Sequence, residues 1–192
     1  MCGGEGTRLD AAVEKPLYPV AGTPMVERVR EALSASSVDR TFAITSPATP
    51  ETARCLDCPT IETPGEGYVV DLGVALSDAR VSPPVLTVAA DLPALDAAAV
   101  DAVLDAARGA LTVAVPVGRK RALGFGADTT IRHRGTLVAP AGVNVVGDGD
   151  ALALTRDRRF AVNVNRPADA RAATRLLSGS TPVTFQPELN FR

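Results

Sequence analysis

Short apolar runs alternate with helical segments through most of this 192-residue chain, and this alternation limits the folds that it can adopt. Segments with the helical spacing of apolar residues lie at 24–34, 67–78 and 96–107, and runs suited to buried strands lie at 40–45, 60–63, 85–90 and 111–115. Strands that alternate with helices form right-handed βαβ units around a mainly parallel sheet that helices cover on both faces. We therefore predict an α/β fold of the Rossmann-like, three-layer kind.

The regular pattern weakens after Pro116. Segment 118–126 is basic and glycine-rich, and three short strands separated by glycines are predicted after it at 129–134, 136–139 and 143–146. A strand at 160–164 and a helix at 167–177 complete the pattern, and 181–192 is predicted to be a surface tail. Late insertions of this kind often carry the site for a second substrate.

The composition is that of a soluble globular protein, because 46% of the residues are hydrophobic, 22% are charged and the net charge is −2. This balance argues against a nucleic-acid-binding protein, which would be strongly basic. No membrane span or secretory signal is expected, so the cytoplasm is the expected compartment. Cys55 and Cys58 lack the second ligand pair of a structural zinc site, and free thiols are expected. One domain over 1–192 is expected.

A glycine cluster at the N-terminus carries the strongest functional signal. Glycines let backbone N–H groups approach phosphate oxygens, and cationic side chains neutralise the charge that a backbone cradle would leave. The pattern has neither the lysine of a Walker loop nor the spacing of the dinucleotide fingerprint. It predicts a nucleoside triphosphate site, against the alternative of a glycine-rich turn with two surface cations. The predicted set is Gly3, Gly4, Gly6, Thr7, Arg8 and Lys15.

Only Met1 and Cys2 precede these glycines, although a buried strand of about five residues normally holds a loop of this kind. We therefore expect that Met1 is an internal methionine and that the first strand of the fold is truncated in this chain.

Asp91 directly follows the clearest predicted strand, and ligands of open α/β sheets bind beyond the carboxyl ends of the strands. A lone aspartate opposite a triphosphate suits Mg²⁺, which takes one or two carboxylates together with phosphate oxygens and water. Asn163 and Asn165 lie two apart and point to one face of an extended segment, and we take Asn163 as the second metal ligand. The alternatives are that Asp91 caps a turn and that the asparagines prepare the turn before Pro167.

Polar and glycine-rich loops supply further candidates. The loop after 40–45 and the segment TPGEGY offer hydroxyl and backbone groups that can read the edge of a base, and the residues predicted there are Thr45, Ser46, Thr63, Gly65 and Gly67. The segment APAGVNVV offers Gly142 and Asn144 in a bend that can bind the acceptor. From composition alone, TPGEGY is equally well explained as a simple connection, and APAGVNVV as a hairpin.

Together these blocks resemble a known family. The pattern GGxGTR…EKP…GxPM resembles nucleotidyltransferases of the molybdenum-cofactor guanylyltransferase type. The whole set has the order and spacing found in the archaeal-type GTP:adenosylcobinamide-phosphate guanylyltransferases, and TPGEGY and APAGVNVV separate that family from the molybdenum-cofactor enzymes. The blocks span nearly the whole chain: MCGGEGTRLDAAVEKPL, TSPATPET, TPGEGYVVDL, AADLPAL, APAGVNVV and FAVNVNRPADARAA.

The resemblance implies a nucleotidyltransferase fold and transfer of GMP from GTP to adenosylcobinamide phosphate, which yields adenosylcobinamide-GDP and pyrophosphate during cobalamin assembly. Arg8 and the glycines would hold the leaving phosphates, Lys15 the α-phosphate, and Asp91 with Asn163 a Mg²⁺ ion. The alternatives are a nucleotidyltransferase that acts on molybdopterin or a sugar phosphate, and a GTP-binding module without turnover. The sequence leaves a homodimer open.

Overall fold

The computed structural model describes residues 1–4, 7–9 and 12–179. Its helices are α1 Met25–Ser34, α2 Pro50–Cys55, α3 Tyr68–Leu76, α4 Ala97–Ala106, α5 Val117–Ala122, α6 Arg158–Ala161 and α7 Pro167–Ser178. Its strands are β1 Pro19–Val20, β2 Thr23–Pro24, β3 Ala43–Thr45, β4 Thr60–Glu62, β5 Val85–Val88, β6 Leu111–Pro116, β7 Ile131–His133, β8 Thr136–Val146 and β9 Ala151–Leu154. Short 3₁₀ turns lie at Thr7–Leu9 and Lys15–Leu17. The predicted tail at 181–192 falls outside the described residues.

The strands confirm an α/β fold with a mixed sheet. Strand β3 pairs in parallel with β4, and the largest sheet has the order β5-β8-β6-β9, with β7 also paired to β8. Strand β8 is antiparallel to both β5 and β6, and β6 is parallel to β9. Strand β7 is antiparallel to β8 as well, so β5, β6, β7 and β9 run in one direction and β8 runs against them.

Helices cover both faces of the strands, as the alternation of side chains requires. In β3, Ala43 belongs to a buried cluster with Val26 of α1, whereas Ile44 belongs to one with Ala75 of α3. In β8, Val143 packs into the main core with α1 and α4, whereas Asn144 hydrogen-bonds with Tyr68 of α3. The main core thus lies between the large sheet and the α1–α4 pair, and α3 covers the opposite face.

Met1 and Cys2 connect the β3–β4 pair to the five-stranded sheet that contains β5. The Met1 nitrogen donates to the Val88 carbonyl at 2.8 Å, and the Ala90 N–H donates to the Met1 carbonyl at 3.2 Å. On the other side, the Cys2 N–H donates to the Ile44 carbonyl at 2.8 Å. These two residues lie between β3 and the end of β5, which is where the strand before a phosphate loop is expected.

The second half of the chain differs from the prediction. The basic, glycine-rich segment 118–126, for which no element was predicted, contains most of helix α5, Val117–Ala122. The short strands predicted at 136–139 and 143–146 form one strand, β8, which continues through Gly142, so this glycine does not lie in a hairpin bend. Strand β9 was not predicted.

The strand predicted at 160–164 is also wrong, since Phe160 and Ala161 belong to the short helix α6. Asp157 caps this helix by accepting from the Arg159 N–H at 2.9 Å, and a short apolar run does not by itself distinguish a strand from a helix. The asparagines follow in a segment without regular structure. The Val164 N–H donates to the Asp91 carbonyl at 3.0 Å, so this segment still runs beside Asp91.

No helix within the described ranges 1–4, 7–9 and 12–179 is both long and apolar enough to cross a membrane.

Candidate functional site

A cavity of about 510 Å³ opens where the N-terminal glycines, the end of β5 and the start of α3 meet. Met1, Cys2, Gly3 and Gly4 form one side, and Ala89, Ala90 and Asp91 form the floor beyond β5. Lys15, Asn165 and Arg8 also line the cavity, and Gly65, Gly67, Tyr68 and Asp71 complete the wall. The site therefore lies beyond the carboxyl end of a strand, as predicted.

Lys15 is held by two side-chain oxygens at this site. Its Nζ donates to Asp91 Oδ2 at 2.7 Å and to Asn165 Oδ1 at 2.6 Å. The side chains of Lys15 and Asp91 are only 18% and 15% exposed, so their ion pair is shielded from bulk water. Lys15 and Asp91, which were chosen from separate parts of the sequence, are thus brought into direct contact.

Asn163 lies behind Asp91 and does not line the cavity. Its Oδ1 accepts from Lys120 Nζ at 2.6 Å, and its Nδ2 donates to the Ala141 carbonyl at 2.9 Å and approaches Asp91 Oδ1 at 3.4 Å. The amide therefore presents its nitrogen, and not its oxygen, to Asp91. Asn165 is the asparagine whose oxygen faces the cavity, so the metal role that was predicted for Asn163 suits Asn165 better.

Arg8 reaches the rim of the cavity, where an aspartate from a distant loop binds it. Its Nη1 lies 2.6 Å from Asp128 Oδ2, and Arg166 Nη2 lies 2.6 Å from the other oxygen of the same carboxylate. The side chains of Arg8 and Arg166 are mostly exposed. One carboxylate thus holds two cations at the rim.

The remaining predicted phosphate ligands are only partly described. Gly3 and Gly4 line the cavity. Gly6 falls outside the described residues, and Thr7 is described only as part of its 3₁₀ turn.

The predicted base-reading residues form a compact support for the glycine loop. Ser46 Oγ donates to the Gly3 carbonyl at 2.9 Å, and the Thr63 N–H donates to the Thr45 carbonyl at 2.8 Å. Cβ atoms added at Gly3 and Gly65 would lie 3.2 and 3.1 Å from Ser46 Cβ, so both glycines pack tightly against this serine. Thr45, Ser46 and Thr63 are buried and position the backbone, whereas Gly65 and Gly67 line the cavity.

Gly142 and Asn144 do not line the cavity, although both lie on the face of β8 that α3 covers. Gly142 has a φ of +82°, and a Cβ there would lie 2.9 Å from the Cβ of Ala89, so a glycine is required next to the floor of the site. Asn144 Nδ2 donates to the Tyr68 hydroxyl at 3.1 Å. Both residues therefore support groups that line the cavity.

Glu14, which precedes Lys15, fixes this part of the chain to α2. Its carboxylate accepts from the Glu51 N–H, the Thr52 N–H and the Thr52 hydroxyl at 2.6–2.7 Å. Burial acts to raise the pKa of Glu14, but these hydrogen bonds outweigh it, and the pKa is held below its usual 4.5. Glu14 thus has a structural role beside the site.

Sequence reasoning missed four residues that shape the site: Asp71, Lys120, Asp128 and Arg166. Asp71 carried a usable signal, because it is the one charge in the apolar helix YVVDLGVAL. Lys120 carried none, because it stands among other basic residues in a segment for which no element was predicted. Asp128 and Arg166 are separated by 38 residues, and only the fold shows that they meet.

The oxygens around Lys15 fit the chemistry of a divalent cation. Two side-chain oxygens, from Asp91 and Asn165, already converge on one ammonium group, and Mg²⁺ is bound by such oxygens together with phosphate and water. Among the described residues, no group of three or more histidine, cysteine, aspartate or glutamate side chains is placed to hold a metal without such help. A metal at this site would therefore need the nucleotide to complete its coordination.

Comparison with known sequences agrees with this geometry. The family model for MobA-like NTP transferase domains matches residues 1–177. An adenosylcobinamide-phosphate guanylyltransferase from Methanocaldococcus jannaschii is 34% identical over 113 residues, which cover 55% of this chain and 56% of that protein. A bifunctional protein GlmU from Rhodospirillum rubrum is 30% identical over 151 residues, which cover 76% of this chain and 32% of that protein. The matches thus span about half or less of the length of these curated relatives.

Solved structures share the fold. A hypothetical transferase from Thermus thermophilus is 26% identical with a TM-score of 0.57, and the match covers 77% of this chain and 63% of that one. A Bacillus anthracis protein assigned as a glucose-1-phosphate thymidylyltransferase has a TM-score of 0.67 at 14% identity, with 95% of each chain covered. A CMP:2-keto-3-deoxy-manno-octonic acid synthetase complexed with CTP has a TM-score of 0.62 at 12% identity, with 90% of this chain and 95% of that one covered.

Proposed function

Because the chain belongs to the family of MobA-like NTP transferase domains, we propose that it transfers GMP from GTP to adenosylcobinamide phosphate, giving adenosylcobinamide-GDP and pyrophosphate. The acceptor follows from the similarity to the Methanocaldococcus jannaschii guanylyltransferase and from the shared sequence blocks. The observation that carries the proposal is the contact of Lys15 with Asp91 and Asn165 in a cavity walled by the glycine loop.

In the proposed reaction, an oxygen of the acceptor phosphate attacks the α-phosphorus of GTP. A new P–O bond forms, and the bond to the β-phosphate oxygen breaks, so that its electron pair leaves with pyrophosphate. A phosphate acceptor is already ionised and needs no general base. The protein must therefore align two polyanions and neutralise their charge, and alignment alone is worth about 7–11 kcal/mol.

The residues around the cavity divide this work. Lys15 donates to the α-phosphate, and the backbone of Gly4 together with Arg8 holds the leaving phosphates, with Arg8 exchanging Asp128 for phosphate. Gly3 lies beside Asp71 and borders the nucleoside. Asp91 and Asn165 are the protein ligands of Mg²⁺ in this proposal. Bound there, Mg²⁺ would neutralise charge on the phosphate oxygens. Gly142 and Asn144 act only through Ala89 and Tyr68, which line the cavity, and make no direct contact with the substrate.

The direct test is to incubate the purified protein with adenosylcobinamide phosphate and either GTP or ATP in the presence of Mg²⁺, and to measure pyrophosphate release. Release with GTP and the corrinoid supports the proposal. Release only with molybdopterin or a sugar phosphate identifies a related nucleotidyltransferase, and GTP binding without release identifies a non-catalytic module. Either of these outcomes overturns the proposed reaction.

Replacement of Lys15 by alanine separates its role in the transition state from ground-state binding. We expect Lys15→Ala to lower kcat by about 100-fold or more, because charge on the α-phosphate is then not neutralised, while GTP affinity falls only a few-fold. Steady-state kinetics and calorimetric titration with GTP measure the two effects. Arg108→Ala, at an exposed position beyond α4, is the control and should change neither value. Equal losses of kcat and GTP affinity would contradict the role assigned to Lys15.

A further inference from the structure

Asp71 is an almost buried carboxylate that faces the cavity, and the proposed chemistry does not use it. It lies in α3 and is only 5% exposed. Its Oδ1 accepts from the Gly65 N–H at 2.9 Å, which fixes the orientation of the carboxylate. Within the described parts of the chain, no donor contacts the other oxygen, Oδ2. A Cβ added at Gly3 would lie 3.7 Å from this Oδ2, which places the oxygen beside the glycine loop.

The charge of Asp71 has no cationic partner among the described residues, unlike that of Asp91 or Asp128. The Gly65 N–H satisfies only Oδ1. Among the described residues no fully buried side-chain oxygen lacks a hydrogen-bond partner, so Oδ2 is open to the cavity. Asp71 can therefore accept hydrogen bonds there from a group that enters the cavity.

That ligand group is not a phosphate, because two negative charges in a low-dielectric pocket repel each other. The phosphate-binding cations, Lys15 and Arg8, are bound to other carboxylates, Asp91 and Asp128. Asp71 instead belongs to the wall formed by Gly65, Gly67 and Tyr68, where the β4–α3 loop meets the glycine loop. A triphosphate held by Lys15 leaves this wall for its nucleoside.

We propose that Asp71 is the residue that selects guanine, by accepting hydrogen bonds from the ring N1–H and the 2-amino group of the base. Guanine presents two adjacent donors. Oδ2 is free to accept one of them, and Oδ1 has a second lone pair beside the one that the Gly65 N–H uses. Adenine presents an unprotonated N1 at the same edge and would leave the buried carboxylate without a donor, which is how a polar site rejects an analogue. The inference rests on the proposed function and specifies how its nucleotide is chosen.

The test is to exchange the acceptor for a donor at the same place. Asp71→Asn keeps Oδ1 for the Gly65 N–H and presents an amide N–H to the base, so it should bind xanthosine triphosphate, whose 2-oxo group accepts a hydrogen bond. We expect the wild-type protein to bind GTP at least about tenfold more tightly than XTP, and Asp71→Asn to reverse this order. Calorimetric titration with GTP, XTP and ATP measures the preference directly, without any need for turnover.

Two controls separate the possible outcomes. Asp105→Asn, on the exposed side of α4, should keep the wild-type preference, and thermal unfolding checks that Asp71→Asn is folded. If the variant binds GTP, XTP and ATP with equally reduced affinity, Asp71 holds the ribose or the loop and the inference is overturned. An unchanged GTP preference in the variant overturns it as well, while the proposed function stands. If the wild-type protein does not prefer GTP to ATP, the guanylyl transfer itself fails.

Discussion

Lys120 is a buried residue that acts on the site through a neighbour. It is 3% exposed, and its Nζ donates to the Ala161 carbonyl at 2.9 Å and to Asn163 Oδ1 at 2.6 Å. Burial lowers the pKa of Lys120 below its usual 10.5, although the carboxylates of Asp91, Asp169 and Asp128 act in the opposite direction. The bond to Asn163 Oδ1, together with the bond from Asn163 Nδ2 to the Ala141 carbonyl, turns this amide so that its nitrogen faces Asp91. Lys120 is thus a positioning residue for the proposed metal ligand.

Replacement of Lys120 by methionine tests this role. We expect Lys120→Met to raise the Mg²⁺ concentration needed for half-maximal activity by about 10- to 100-fold. The reason is that the Asn163 amide and the Asp91 carboxylate lose their fixed orientation. The measurements are activity against Mg²⁺ concentration and direct Mn²⁺ titration of the nucleotide complex. Arg121→Met, one position further along α5 and exposed, is the matched control. An unchanged Mg²⁺ profile in Lys120→Met would show that Asp91 is oriented without this contact.

At the level of elements, Glu14 links the segment that carries Lys15 to the start of α2. The first turn of a helix leaves backbone N–H groups without partners, and the Glu14 carboxylate accepts from two of them, those of Glu51 and Thr52. Because folding lowers the pKa of Glu14, the ionised form contributes stability. This contribution is complete above the usual pKa of 4.5 and is lost as the pH falls through the lower pKa of the folded state.

Replacement of Glu14 by glutamine should therefore have an effect that depends on pH. We expect Glu14→Gln to lower the free energy of unfolding by about 1–3 kcal/mol at pH 7, because one acceptor oxygen becomes an amide donor that faces an N–H group. The difference from the wild-type protein should shrink as the pH falls below 4.5. Urea unfolding across this range measures it, and Glu31→Gln on the exposed face of α1 is the control. A difference that does not change with pH would contradict the role of the charge.

At the level of the whole molecule, Met1 and Cys2 join the β3–β4 pair to the five-stranded sheet, and the same two residues line the cavity. The Cys2 N–H donates a hydrogen bond to the Ile44 carbonyl, and the buried Cys2 side chain packs with Val26, Ala43 and Ala90. A free cysteine in such surroundings behaves as a small apolar group. Stability at this joint and the shape of the cavity are therefore coupled.

Replacement of Cys2 by serine tests the joint. We expect Cys2→Ser to destabilise the whole protein by about 1–3 kcal/mol, because its hydroxyl lies among apolar neighbours, and to lower Tm by roughly 2–4 °C per kcal/mol. Thermal and denaturant unfolding measure this. Cys55→Ser is the matched control, because Cys55 is exposed, and it should unfold like the wild-type protein. A Cys2→Ser variant as stable as the wild-type protein would show that the packing of Cys2 between the two sheets does not limit stability.

The sequence predicted those elements whose residues act locally. The helices at α1, α3, α4 and α7 follow from periodic apolar residues, and β5 follows from its apolar run, so these were placed within a few residues of their observed ends. Asp91 was found because the end of a strand can be predicted from the local sequence, whereas a side-chain contact cannot. The errors cluster in 117–165, where a basic helix, a long strand through Gly142 and a four-residue helix break the local rules.

The contacts of the site required the fold itself. Asp128 reaches Arg8 across 120 residues, and Lys120 reaches Asn163 across 43. No periodicity predicts such pairs, because each depends on how several elements pack together. The choice between Asn163 and Asn165 had the same origin, since alternation along an extended segment places both on one face, and only the neighbour Lys120 distinguishes them.

The reversed direction of β8 has a consequence for the order in which the sheet is completed. Strand β5 has its ladder partner in β8, and Thr87 lies opposite Asn144, 57 residues further along the chain. Strands β5 and β6 run the same way but meet only through β8. A nascent chain that has left the ribosome as far as β6 therefore holds two apolar strands that cannot yet join. The centre of the sheet can close only after the β7–β8 hairpin emerges, so we expect formation of the native topology to wait for this late segment.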